Sequence, residues 1–73
     1  MDYEKLNEIL KDEFNDVVMY ANLYKTSENP IFRDIAREEM THAKHIKHIL
    51  KGAGKLKDCT EIMDKAKAAL NEI

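Results

Sequence analysis

Only two segments of the sequence interrupt a helix-compatible pattern: Thr26-Ser27-Glu28-Asn29-Pro30 and Gly52-Ala53-Gly54. They hold the single proline and both glycines of the chain. The stretches between them predict three helices, over about residues 3–26, 30–51 and 59–72. Asn29 before Pro30 reads as an N-cap followed by the first helical position. Gly52 reads as the stop of helix 2, behind Lys47, His48 and Lys51, which suit the negative end of its dipole. Asp58 with Glu61 resembles a capping box for helix 3. The first break is short, so helices 1 and 2 form an antiparallel hairpin. The expected fold class is all-α: one domain over residues 1–73, a helical hairpin with a short third helix.

A single core of 73 residues rarely supplies more than about 3–5 kcal/mol, so chains of this size lean on a disulfide, a metal or a partner subunit. One cysteine excludes an internal disulfide and a four-cysteine metal site within the chain. Metal held by histidine and carboxylate, association, or both remain. A net charge of −2, from 12 basic and 14 acidic residues of mixed order, argues against nucleic acid as the main partner. There is no apolar run of about 18 residues for a membrane span. The acidic start, Met1-Asp2-Tyr3-Glu4-Lys5, has no signal-peptide core. The expected location is the cytoplasm.

Two carboxylates stand where apolar residues are expected. Helix 1 carries a stripe of Leu6, Leu10, Val17, Tyr20 and Tyr24, and the position that fills its one long gap is Glu13. At about 100° per residue, Leu6, Val17, Tyr20 and Tyr24 all fall within about 40° of Glu13. On helix 2, Phe32, Ile35, Ala36, Ala43, Ile46, Ile49 and Leu50 define a stripe, and Glu39 lies within about 20° of its centre. His42 is about 50° away and faces inward; His45, at about 110°, is at the boundary; His48, at about 170°, faces solvent. Measured from the break, Glu13 is roughly 20 Å along helix 1, and Glu39 and His42 roughly 14–18 Å along helix 2. The three side chains can meet. Burying ionised carboxylates unpaired costs several kcal/mol each, and no lysine or arginine shares either stripe. A metal ion is the economical counter-charge.

Glu39-Met40-Thr41-His42-Ala43 resembles the Glu-x-x-His-Ala signature of the rubrerythrin branch of ferritin-like di-iron proteins. Glu13, with Tyr20 seven residues later, is similar to the other helix of that unit, and Ile31-Phe32, Ala36 and Glu39 keep the family's relative positions. The resemblance spans roughly residues 6–50 and leaves helix 3 outside. It implies a ferritin-like four-helix bundle whose site takes a Glu from each of two helices and Glu-x-x-His from the other two. This chain supplies one of each. The implied assembly is a homodimer or higher homo-oligomer, similar in architecture to the two-helix encapsulated ferritins, with metal ligands Glu13, Glu39 and His42 from each copy. The implied cofactor is iron, two ions per dimer, with manganese as the alternative. The implied activity is oxidation of Fe(II) by O₂ or peroxide, a ferroxidase or peroxidase type of oxidoreductase. The Tyr20 hydroxyl would hydrogen-bond a ligand carboxylate from behind. With Cys59 alone, the chain lacks the rubredoxin-type centre of a full rubrerythrin, so peroxide reduction would draw on an external electron donor. The alternatives are a non-catalytic iron-binding or sensing module and a metal-free helical dimerisation domain.

Other residues have plainer readings. Asp16, about 90° off the apolar centre, is a solvated carboxylate before it is an extra ligand. Glu38 and His45 are exposed or boundary residues, and His48 is a helix C-terminal cation. Cys59 reads as an inert thiol. Ile62, Met63, Ala66, Leu70 and Ile73 make helix 3 amphipathic, fit to cover the bundle or to mediate higher assembly.

Overall fold

The computed structural model describes residues 1–73 as three helices: α1 (Tyr3–Ser27), α2 (Pro30–Gly52) and α3 (Thr60–Asn71). Asp2 caps α1 by accepting the Lys5 N–H at 3.0 Å. Glu28 turns the chain out of α1 in the left-handed region at φ 56°. Asn29 then caps α2 as expected, accepting the Ile31 N–H at 3.1 Å, with Pro30 as the first helical residue. The α2 stop differs from expectation. Gly52 is still helical, and the left-handed residue is Gly54, at φ 68°. Its N–H donates to the Lys51 carbonyl and the Lys55 N–H to the Leu50 carbonyl, the paired bonds of a Schellman motif. The capping box also fails to form. Cys59 is the N-cap residue of α3 and makes no side-chain cap bond; Asp58 accepts the Thr60 N–H at 3.0 Å, which holds its carboxyl below the usual range. Glu61 pairs with Lys65 instead.

Cross-helix contacts fix the hairpin as antiparallel. Tyr24 meets Arg33 near one end and Glu13 meets His42 farther along, so the number rises on α2 as it falls on α1. The molecule is 39 Å long, close to the roughly 38 Å of a helix the length of α1 at about 1.5 Å per residue.

The core lies beside the expected α1 stripe. The buried α1 residues are Asn7, Leu10, Phe14, Val17 and Ala21, whereas Leu6, Glu13, Tyr20 and Tyr24 are half-buried on its flank. The physical reason is α3, which packs mainly on α1. Contact with two helices moves the buried arc of α1 toward Phe14. From α2 come Met40, Ala43 and Leu50, and from the α3 end Cys59 and Ala66. Ile62, Met63 and Leu70 lean on this cluster, so α3 covers the hairpin. Asn7 secures the cover. Its amide donates to the Tyr3 and Lys55 carbonyls and its Oδ1 accepts the Lys57 N–H, all within 3.0 Å, tying the α2–α3 connection to α1. No helix is long and apolar enough to cross a membrane.

Candidate metal centre

A second pair of rows runs along the hairpin on the side that α3 leaves free. On α1 it comprises Leu6, Ile9, Glu13, Asp16, Tyr20 and Leu23; on α2, Phe32, Ile35, Glu39, His42, Ile46 and Ile49. In both rows the spacing alternates three and four residues, the repeat by which helices pack in coiled coils and bundles. Every member is half-buried or exposed, with Leu23 at 39% and Ile49 at 45% of full exposure. Met19 and Ile31 add exposed apolar surface on the hairpin. In the antiparallel register Glu13 stands level with His42, and Asp16 with Glu39. Each row is thus apolar at its ends and ionisable in its middle.

The three expected ligands converge. One ligand atom each from Glu13, Glu39 and His42 lies within 4.8 Å of the others. His42 Nδ1 is 3.4 Å from Glu39 Oε1 and 3.7 Å from Glu13 Oε2. An ion about 2.1 Å from each ligand needs donors no more than about 4.2 Å apart, so small side-chain rotations close the set. Glu13 Oε2 is the best test of whether a metal fits. It is shut off from solvent, yet no hydrogen-bond donor reaches it. A buried carboxylate oxygen without a donor is costly, and an ion shared with Glu39 and His42 supplies the missing partner. No lysine or arginine does so. The ion pairs of Glu13 and Glu39 are with His42 alone, while the lysine pairs join Lys5 to Glu8, Lys25 to Glu72, Lys57 to Glu4 and Lys65 to Glu61. Arg33 lies over the Tyr24 ring.

The electrostatics follow from this crowding. Burial raises the Glu39 carboxyl above its ordinary value; a hydrogen bond and charge repulsion from Glu13 push the same way, and His42 opposes them. Asp16 is also raised, first by burial and then by the charge of Glu39 and a hydrogen bond to it. The crowding therefore disfavours charge on both carboxyls at once.

Two expectations need adjustment. His42 does not face inward: its side chain is 56% exposed and stands at the rim with Nδ1 turned toward Glu39. The Tyr20 ring stacks on Phe32 at 6.3 Å between centroids, and within one chain its hydroxyl bonds neither Glu13 nor Glu39. His45 and His48 are exposed and stay apart from the cluster. Asp16, read from the sequence first as a solvated residue, belongs to the ionisable middle. Its spacing from Glu13 mirrors that of His42 from Glu39, and that signal was present in the sequence.

A family model described as an uncharacterized protein domain (DUF2202) matches residues 2–68, a span that includes all four ionisable residues of the two rows. No curated protein and no solved structure matches the chain.

Proposed function

Since the chain belongs to the DUF2202 family, we propose its function from the site: an iron protein of rubrerythrin or ferritin type, completed across a homodimer, in which Fe(II) is oxidised by O₂ or peroxide. The supporting observation is the buried, donorless Glu13 Oε2, in reach of Glu39 and His42 and of no lysine or arginine. The open rows supply the second half of the proposal. Their three-and-four spacing suits packing against a second hairpin, and a two-fold axis through that face brings together two copies of each ligand.

In this reading the two copies provide four carboxylates and two imidazoles, a charge that balances two divalent ions. Glu39 of each copy would ligate the ions, His42 would hold one ion per protomer, and Glu13 would be the carboxylate from the opposing helix. When bound, the metal pair supplies one-electron redox chemistry toward O₂ or peroxide; manganese is the alternative occupant. Ligating carboxylates are deprotonated, so metal binding would release any proton they carry. Ile9, Tyr20, Ile35 and Ile46 flank the centre and exclude water once the faces meet. In the dimer the Tyr20 hydroxyl orients a ligand carboxylate. Turnover of peroxide draws on an external electron donor. Reduced iron is the substrate, which fits a cytoplasmic setting.

The test is oxidation of added Fe(II) under air, followed optically for the native chain and for Glu39→Ala. The proposal expects faster oxidation than in buffer for the native chain, and the buffer rate for the variant. Iron bound without acceleration would replace it with a binding or sensing module. An intact dimer that takes no iron would replace it with a metal-free dimerisation domain.

A further inference from the structure

We propose that one side of α2 is a docking surface for an acidic helix of a partner protein. The surface is the stripe Arg33, Arg37, Met40, Lys44, Lys47 and Lys51. Its spacing alternates four and three residues, and every member except Met40 is a cation. At about 1.5 Å per residue the stripe is about 27 Å long. At about 100° per residue it lies about 150° around α2 from Glu39 and His42, so it is independent of the candidate metal centre.

The stripe carries charge that the chain itself leaves unbalanced. None of its cations joins an ion pair, although acids outnumber bases in the whole sequence. Arg37, Lys44 and Lys51 are exposed, whereas Arg33 and Lys47 are half-buried. Arg33 lies over the Tyr24 ring, and its Nε is shut off from solvent with no acceptor. Lys47 Nζ donates to Met63 Sδ at 3.2 Å, a weak acceptor. Half-buried cations without an acid are costly, and carboxylates from outside supply the missing partners. The helix dipole does not account for the pattern. It favours Lys47 and Lys51 at the C-terminal end of α2 but disfavours Arg33 near the N-terminal end, where the first turn holds no acid.

Spacing identifies the form of the partner. The three-and-four repeat is that of one helix lying along another, so a helix with Glu or Asp at the same repeat meets each cation in turn. No helix of this chain fits. Its acids never keep that alternation beyond two residues, which points to a different protein rather than a second copy. Phosphates along a nucleic acid have no reason to match the repeat. Lys44, Lys47, His48 and Lys51 line an open hollow of about 200 Å³ with no apolar wall, and Met40 is buried, so a membrane finds no apolar foothold.

The experiment is fluorescence anisotropy of the full chain at low salt with two labelled synthetic helical peptides of one composition. One peptide carries Glu at alternating three- and four-residue spacing. The other spaces the same glutamates by five, which spreads them around the helix. The native chain should bind the first at least about tenfold more tightly than the second. The double variant Arg37→Glu with Lys44→Glu should weaken that binding about tenfold or more, since each reversal turns an attraction into a repulsion. Lys5 and Lys11 are exposed cations on α1. Lys5→Glu with Lys11→Glu makes the same change in net charge and should stay within about threefold. Equal affinity for the two peptides, no binding of either, or an equal loss in both double variants would overturn the proposal. So would a single-stranded DNA of equal charge bound as tightly as the first peptide. A change of oligomeric state in Arg37→Glu with Lys44→Glu, read by native mass spectrometry, would assign the stripe to a second copy and overturn it as well.

Discussion

Glu13 sets the terms at the residue scale, because its buried Oε2 has no hydrogen-bond donor. Glu13→Ala and Glu39→Ala should each abolish iron binding, and added Fe(II) should no longer raise the melting temperature of either variant. In the metal-free protein the sign is opposite. The folded Glu39 carboxyl titrates above its ordinary value of 4.5, so between the unfolded and folded values the folded chain holds a proton that the unfolded chain has released. Stability from this group is present below the unfolded value and is lost as pH rises through the raised folded value. A melting series against pH without metal should show that loss, and Glu39→Gln should flatten it. Asn7 is the other decisive residue. It is buried and makes three hydrogen bonds, so Asn7→Ala should cost about 1–3 kcal/mol in denaturant unfolding. The meeting of Glu13, Glu39 and His42 was legible in the sequence, since a carboxylate on an apolar face signals itself, whereas the exposure of His42 was not. The place of Asp16 was less legible. The α1 stripe drawn from Leu6, Leu10, Val17, Tyr20 and Tyr24 mixes members of two adjacent rows, and its centre left Asp16 to one side and Phe14 out of the core.

At the scale of the elements, helix number, order and the first break follow from where proline and glycine stand. What local pattern did not reveal was which glycine ends α2, because Gly52 and Gly54 are equally eligible until the chain leaves the helix toward Asn7. Two substitutions separate them. Gly54→Ala places a Cβ at φ 68° and should destabilise by about 1–2 kcal/mol. Gly52→Ala lies in helix with open space around the added carbon and should stabilise by up to about 1 kcal/mol. Equal effects in thermal unfolding would contradict the Schellman ending. The role of α3 was also beyond the sequence, which showed its apolar face without its target. By packing mainly on α1, it closes one side of the hairpin and leaves the Glu13–His42 side as the open one.

For the whole molecule, the proposal makes the open rows and the Glu13–Glu39–His42 cluster one feature. On that proposal, apolar residues at both ends of each row favour pairing with a second copy, while the carboxylates in the middle oppose it until a cation is present. Association and metal binding should therefore be coupled, each strengthening the other by the same factor. Native mass spectrometry during an anaerobic Fe(II) titration reads both at once. The account predicts a dimer that fills to two irons, with its population rising as iron is added. A monomer that saturates at one iron without associating would contradict it.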